Sequence, residues 1–430
     1  MHAVRSLIGL DRQGSVLAKS GARELAVVRA AFAEYYREAA GSVEPPIAVA
    51  QREFGFLMFP QKVMVRHRAF KEADEVRGFI AENVPSDCFY SSAYYSEPAR
   101  DMDEKGWLGA DLIFDIDADH LVTECKKLHD RWCCQDCQNE GIGGAPETCP
   151  RCGSQRFREE TWFCEQCLNA AKRETVKLMD FLEGDLGLSH TEIQVYFSGH
   201  RGYHLHVESP AVREMDQLAR KEIVDYVSAT GLTFDYHIRE SKPRRQLTRP
   251  SIKLPGGWGA RLLEAARALV ENATEPSLRN MGMRADMATR LLKQRELLLR
   301  ALDEGAGWQS VRGIGVETWL TILKIASGEQ AAHVDSVVTT DVHRLIRIAG
   351  TLHGKTGLKK APVGPGGLDA FDPLKSSVVF REDEPLKVHV ENAQQFRLAD
   401  RTFGPFKRST LELPKAAAIL LLLKGAASLA

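Results

Sequence analysis

Hydrophobic and polar positions alternate in one short segment, residues 111–117, which reads Asp-Leu-Ile-Phe-Asp-Ile-Asp. Side chains alternate between the two faces of a strand, so Leu112, Phe114 and Ile116 share one face and Asp115 and Asp117 share the other. Two carboxylates at this spacing repel each other unless a cation lies between them. Mg²⁺ and Mn²⁺ prefer such oxygen ligands. An isolated pair would usually be an acidic strand end facing water, but the rest of the chain favours a metal site.

The same patterning predicts the other elements of an α/β (α+β) fold with a mixed sheet. Apolar residues at helical spacing predict helices over residues 21–40, 168–182, 215–227, 259–270 and 287–302. Alternation predicts strands over residues 62–68 and 192–197. The first of these strands places Lys62, Met64, Arg66 and Arg68 on one face, as a solvated edge strand or as a basic wall facing phosphates. The apolar run 416–423 predicts a helix that is buried or faces a partner.

Composition limits the classes of protein to which the chain can belong. With 430 residues, 44% hydrophobic and 27% charged, it resembles a globular protein of two or three domains. The net charge is −1, so contact with nucleic acid requires local basic patches. The segment Arg239–Lys253, which carries Lys242, Arg244, Arg245 and Arg249, is either a solvated loop or such a contact.

The location expected from the sequence is the cytoplasm. The first residues lack the basic, apolar and small-residue order of a signal peptide. The longest apolar run, residues 416–423, is too short to span a bilayer, so no membrane association is expected.

Residues 120–170 contain a cysteine-rich insertion that predicts zinc. Eight candidate ligands lie here: Cys125, His129, Cys134, Cys137, Cys149, Cys152, Cys164 and Cys167. They suffice for two four-coordinate structural zinc sites, whereas Cys88 and Cys133 are predicted to be unligated thiols. Two groupings fit the spacing, because Cys149 and Cys152 can join either the pair before them or the pair after them. Loop length does not decide between the two.

Two further motifs predict a site for phosphates. The strand at 192–197 runs into Ser-Gly-His-Arg-Gly-Tyr-His, in which Ser198, Arg201 and His204 surround a glycine turn. Such a turn lets backbone amides approach an anion. Further along, Asp335 is predicted to enter a helix whose exit turn presents Arg347, His353 and Lys355. The Gly-Lys-Thr at 354–356 is not a P-loop, because the full glycine-rich pattern and a preceding buried strand are missing.

Together these motifs resemble the small, catalytic subunit of archaeal-type DNA primases. The resemblance rests on Asp-Ile-Asp at 115–117, on the motif at 198–204 and on residues 335–357, with Arg52-Glu53-Phe54 and Arg66 resembling N-terminal motifs. It implies a primase catalytic core in residues 1–210 and 331–430, the latter with a C-terminal helix. The zinc-binding insertion would occupy residues 120–170 and a mainly helical subdomain residues 211–330.

The resemblance also implies roles for individual residues. Asp115, Asp117 and Asp335 resemble the family's metal-binding carboxylates for Mg²⁺ or Mn²⁺. The predicted nucleotide-binding residues are Ser198, Arg201, His204, Arg347, His353, Glu53 and Arg66. His200 stands where some relatives have a second arginine. The resemblance also favours one zinc site made of Cys125, His129, Cys164 and Cys167, and a second made of Cys134, Cys137, Cys149 and Cys152.

The implied activity is two-metal nucleotidyl transfer that makes short RNA or DNA primers on single-stranded DNA from nucleoside triphosphates during replication. The implied partner is a primase large subunit in a heterodimer, with a replicative DNA polymerase and other replisome proteins as further candidates. Two alternatives remain open at this point. One is a primase-like polymerase used in repair, and the other is a non-catalytic zinc protein that binds nucleic acid.

Overall fold

The computed structural model describes residues 21–60, 63–162, 164–234, 256–303, 311, 314–364 and 367–430. The helices are α1 Ala22–Glu38, α2 Ala73–Asn83, α3 Lys126–His129, α4 Glu165–Asp180, α5 Pro210–Arg213, α6 Gln217–Val227, α7 Gly257–Asn272, α8 Glu275–Asn280, α9 Ala285–Lys293, α10 Arg295–Asp303, α11 Val316–Gln330, α12 Ser336–Thr340, α13 Gly367–Ala370, α14 Pro373–Ser376 and α15 Lys415–Leu423. The basic segment Arg239–Lys253 and Lys62 lie outside the described residues.

The strands are β1 Phe54–Met58, β2 Val63–Arg68, β3 Pro85–Ser91, β4 Ala93–Tyr95, β5 Trp107–Ala110, β6 Leu112–Asp117, β7 Arg131–Cys134, β8 Glu140–Ile142, β9 Phe157–Glu160, β10 Ile193–Phe197, β11 Gly202–Val207, β12 Leu345–Arg347, β13 Ala361–Pro362, β14 Pro385–Ala393, β15 Phe396–Leu398, β16 Arg401–Phe403, β17 Phe406–Pro414 and β18 Ala427–Leu429. The predicted α+β class is confirmed, with helices and several small sheets in which the described strand pairs run antiparallel.

The chain forms two compact units, and the first is built on sheets. This unit contains Met1–Thr175, Thr191–Lys221 and Val334–Ala430. One four-stranded sheet has the order β12-β3-β1-β2 and another the order β13-β10-β11-β6, and the paired neighbours in both run antiparallel. The acidic strand β6 lies at one edge of the second sheet.

The second unit is helical and contains Val176–His190 and Glu222–His333. Its helices α7 and α11 pack against each other. A small aromatic group stabilises the unit, because the rings of Phe181 and Trp258 lie 5.3 Å apart and Trp258 donates to the Tyr226 carbonyl at 2.7 Å. The single helix predicted over 287–302 is wrong, since α9 and α10 are separated at Gln294. The predicted domain boundaries at 210 and 330 stay a prediction.

The C-terminal apolar run forms α15, and its residues Ala416–Leu423 are all buried. This confirms the prediction of a buried helix. Within the described part of the chain, the helices are too short or too polar to cross a membrane.

Candidate functional site

The strand pair β6 and β11 brings the acidic motif and the glycine turn together. His204 pairs with Asp115 across the sheet, and Gly202 pairs with Asp117. A Cβ at position 202 would lie 2.2 Å from the Ile116 carbonyl oxygen, so only glycine fits this close approach. The turn that carries Ser198 is therefore held directly beside the carboxylate of Asp117.

Asp335 joins the acidic pair from a distant part of the sequence. Its backbone N–H donates to the Asp115 carbonyl at 2.9 Å. Its side chain caps helix α12, accepting from the N–H groups of Val337 at 2.9 Å and Val338 at 3.4 Å. The cap fixes the carboxylate beside β6. The structure thus brings the three predicted carboxylates to one edge of the sheet.

The electrostatics of this edge fit a cation. Burial and the negative charges of Asp117 and Asp335 together raise the pKa of Asp115 to about 7. Burial also raises the pKa of Asp117, against the opposing charge of Arg201. A divalent cation would remove the mutual repulsion of these groups, so the residues could hold Mg²⁺ or Mn²⁺.

A second group of possible ligands overlaps with the first. Ligand atoms of Asp117, Asp119 and His200 lie within 4.8 Å of one another. Among the described residues, the oxygens of Asp115, Asp117 and Asp335 do not form a set this compact. Asp119 and His200 were not among the predicted metal ligands, although Asp119 follows the acidic motif at 115–117 and His200 lies within the motif at 198–204.

The glycine turn is closed by its own hydrogen bonds, and its arginine is buried. The Ser198 hydroxyl accepts from the N–H groups of His200 and Gly202, each at 3.3 Å. Arg201 is fully buried. Its Nη1 donates to Asp130 Oδ1 at 3.0 Å, and its Nη2 contacts the Asp119 carboxylate. The structure therefore shows Arg201 holding two carboxylates beside the turn, and its predicted contact with phosphate stays a prediction.

Three of the other predicted nucleotide-binding residues, His353, Arg347 and His204, form a basic group near the turn. His353 stacks on His200, with ring centroids 5.2 Å apart. Arg347 lies on strand β12, so its predicted place in the exit turn of a helix is wrong. Its guanidinium contacts Asp87 at 2.8 Å and the Leu352 carbonyl at 3.1 Å. His204 Nε2 lies 3.6 Å from Asp115 Oδ1, which places it on the acidic side of the same sheet.

Glu53 and Arg66 form a separate pair, in which Glu53 is buried and Arg66 is partly exposed. Arg66 Nε donates to Glu53 Oε1 at 2.9 Å, and Lys105 Nζ lies 3.3 Å from Glu53 Oε2. Burial raises the pKa of Glu53, but the hydrogen bond and charge of Arg66 outweigh this effect and hold the pKa below its usual value. The edge strand β2 therefore points Arg66 at a carboxylate, and a contact of this pair with nucleotide stays a prediction.

The eight predicted zinc ligands come together as two groups of four. One group is Cys125, His129, Cys164 and Cys167, and the other is Cys134, Cys137, Cys149 and Cys152. This is the grouping favoured by the resemblance. The Cys125 and Cys167 sulfurs are 3.4 Å apart, and those of Cys134 and Cys152 are 3.6 Å apart. A tetrahedral zinc site with ~2.3 Å bonds needs sulfurs about 3.7 Å apart, so both groups could hold Zn²⁺.

The first cysteine group is connected to the glycine turn through Asp130. Asp130 Oδ1 lies 2.7 Å from His129 Nδ1 and 3.0 Å from Arg201 Nη1. It also accepts from the Trp162 N–H at 3.0 Å, while Arg201 donates to the Trp162 carbonyl at 3.0 Å. A carboxylate that orients a metal-binding histidine is a common arrangement. Here the same carboxylate holds the arginine of the turn.

Three charged residues of the site were not predicted from the sequence. Asp130 follows the predicted ligand His129, and this adjacency is the one signal that could have indicated it. Lys360 is fully buried, and its Nζ lies 3.0 Å from His206 Nε2. Lys424 reaches the turn from the end of α15. Neither lysine lies in a motif that spacing alone would identify.

Comparison with known proteins places the chain in a family. The sequence profile of the family described as DNA primase small subunit matches residues 146–365. The DNA primase small subunit PriS of Cenarchaeum symbiosum is 33% identical over 411 residues, which covers 95% of this chain and 99% of the relative. The chain belongs to the DNA primase small subunit family.

Two further relatives span much of the same length. PriS of Methanothrix thermoacetophila is 34% identical and covers 93% of this chain and 97% of its own. PriS of Halorubrum lacusprofundi is 35% identical and covers 81% of this chain and 84% of its own. These similarities confirm the resemblance that the motifs indicate.

Proposed function

We propose that this chain is the catalytic subunit of a DNA primase. In this role it joins nucleoside triphosphates into short RNA or DNA primers on a single-stranded DNA template. The observation that supports the proposal is the convergence of Asp115, Asp117 and Asp335 near the basic group of His353, Arg347 and His204. The chain is also similar along nearly its full length to a protein named primase small subunit. Carboxylates are suitable ligands for a catalytic cation, and basic side chains are suitable for binding the phosphates of a nucleotide.

The residues divide the work of the proposed reaction. Asp115, Asp117 and Asp335 would hold Mg²⁺ or Mn²⁺, which when bound supplies positive charge to the reacting phosphate and the attacking hydroxyl. His353, Arg347 and Lys355 face the region beside His200 and would bind the negative phosphate oxygens. Base choice would come from the template, so the protein needs to hold backbones rather than read sequence.

The proposal extends to partners, zinc and location. We propose that the chain acts with a primase large subunit, and that a replicative DNA polymerase takes over its product. The two cysteine groups would each hold one structural Zn²⁺. A cytoplasmic location would bring the protein to the replicating DNA.

The first prediction tests the acidic group with Asp115→Asn, which keeps the shape of the side chain and removes its charge. Losing an essential metal ligand should lower primer synthesis on single-stranded DNA by roughly a hundredfold or more. Synthesis should be measured with the large subunit present and absent, with Asp400→Asn as a surface control, because Asp400 is 76% exposed and pairs only with Lys375 within the described residues. Near-normal synthesis by Asp115→Asn would contradict the proposed metal site.

The melting temperature of the same variant gives a second test, which concerns the stability of the fold. An aspartate pKa raised from 3.8 to about 7 means that the ionised form destabilises the folded chain. This cost is absent below about pH 4, grows as the pH rises and is complete above about pH 7, where it is on the order of 4 kcal/mol at most. In metal-free buffer, Asp115→Asn should therefore melt at a higher temperature than the unsubstituted protein at pH 8, with a smaller difference at pH 5.

A further inference from the structure

The C-terminal helix α15 ends beside the glycine turn, and its end is defined by a specific backbone motif. The Gly425 N–H donates to the Leu422 carbonyl at 3.0 Å, and the Ala426 N–H donates to the Leu421 carbonyl at 2.9 Å. Gly425 has a φ of 65°, which suits a glycine that terminates a helix. Lys424 is the last residue before this reversal, so its backbone position is fixed by α15 and the turn that follows.

The side chain of Lys424 makes two hydrogen bonds, both to neutral groups. Its Nζ lies 2.9 Å from His200 Nε2 and donates to the Thr161 carbonyl at 3.1 Å. Within the described ranges, no carboxylate oxygen lies within the 4.0 Å of an ion pair with this ammonium. An ammonium has three hydrogens, so the third remains for another acceptor.

Lys424 lies near two other cationic side chains, Arg201 and Lys355. Burial lowers its pKa well below the usual value, and the charges of Arg201 and Lys355 lower it further, against the opposing effect of Asp130 and Asp117. Placing cations together away from water costs free energy unless an anion neutralises them. This arrangement therefore fits a multiply charged anion next to the acidic strand.

We propose that Lys424 is a phosphate-binding residue, which contacts the triphosphate of the incoming nucleotide from the end of α15 together with His200. The inference rests on the proposed function, because it names a further residue for the same nucleotide. Lys424 Nζ contacts His200, whose ring stacks on His353 and has a nitrogen within 4.8 Å of a carboxylate oxygen of Asp117. A triphosphate bound at the turn would have the Lys424 ammonium at its phosphates and a metal-binding carboxylate close by.

The test compares nucleotide binding by Lys424→Met and by the unsubstituted chain. Methionine keeps much of the aliphatic stem and removes the charge. The Kd for a nucleoside triphosphate should rise roughly ten- to a hundredfold, the size expected for a lost charge-assisted hydrogen bond, while the Kd for the nucleoside monophosphate stays within about twofold. Lys424→Arg should restore most of the triphosphate affinity. Lys375→Met is the matched control, since Lys375 is 61% exposed and pairs with Asp400 at the surface.

A second measurement uses the unsubstituted chain and does not depend on folding of the variant. An amine-reactive acetylating reagent is applied with and without nucleoside triphosphate, and the modified lysines are quantified by mass spectrometry. Triphosphate should protect Lys424 at least severalfold more than monophosphate does, with no change at Lys375. Equal labelling of Lys424 in both conditions, or an unchanged triphosphate Kd in Lys424→Met, would overturn the inference. Binding is measured without primer synthesis, so a chain that joins no nucleotides but shows this protection contradicts the proposed function alone.

Discussion

The two cysteine groups have the same kind of ligands but different connections to the rest of the chain. In the base group, Cys125, His129, Cys164 and Cys167, the histidine contacts Asp130, which in turn contacts Arg201 of the glycine turn. In the ribbon group, Cys134, Cys137, Cys149 and Cys152, the contacts at the cysteines join residues of the ribbon itself, and one backbone hydrogen bond runs from the Gly143 N–H to the Asp130 carbonyl at 2.7 Å.

Because of this difference, zinc could serve two purposes in one insertion: support of the site and stability of the ribbon. The base group lies at the start of α4 and is linked by charged contacts to a residue beside Asp117. The ribbon has its own three-stranded sheet, ordered β8-β7-β9, and an edge-to-face contact between Trp132 and Phe157. The base group therefore supports the site, whereas the ribbon is a small module that stabilises itself.

The strongest test of this comparison is Cys164→Ser, set against Cys152→Ser in the ribbon. Each variant should lose one zinc ion, measured by mass spectrometry of the native protein. Because structural zinc supplies roughly 10 kcal/mol or more in small modules, the loss at the base should release Asp130 and Arg201 and lower primer synthesis at least tenfold. Cys152→Ser should keep synthesis within about twofold. Equal losses of synthesis would show that the two groups support the site alike.

A smaller effect is expected when the link itself is weakened. Asp130→Asn keeps an oxygen acceptor and removes the charge shared by His129 and Arg201. Zinc affinity at the base should fall roughly tenfold, as is usual when the partner of a metal-binding histidine changes. Asp136→Asn is the ribbon control, because Asp136 pairs with Arg156, whose side chain is 72% exposed. A competition titration with a chelator measures both variants, and identical curves would contradict a special role for Asp130.

Local patterns predicted the elements that carry the chemistry. Alternation over residues 111–117 indicated β6, because a half-buried strand needs its apolar side chains on one face. The spacing of the cysteines indicated metal ligands, although two groupings fitted equally and only the folded chain brings the four side chains of each group together.

Contacts between distant segments could not be predicted in this way. Lys424 lies more than 200 positions from His200, and the apolar run before it indicates only a buried helix. The burial of Arg201 depends on Asp130, which approaches from the cysteine insertion. Arg347 was expected in a turn, yet pairing with β3 makes its segment a strand. In each case tertiary packing decides what the side chain contacts.

The smallest effect on activity is expected from removing the ribbon altogether. Replacing residues 131–158 by a short Gly/Ser bridge deletes Cys134, Cys137, Cys149 and Cys152 and leaves the base group and Asp130 in place. Bound zinc should fall by half, from two ions to one, and primer synthesis on single-stranded DNA should stay within about twofold, because β7, β8 and β9 pair with one another in a sheet of their own. The bridge must span the ends that β7 and β9 hold together, where Arg131 pairs with Glu160, so a few residues suffice.

A deletion variant that loses both zinc ions would show that the ribbon is needed to form the base group. In that case the two groups would be one cooperative unit, and the difference in their hydrogen bonds would not reflect separate roles.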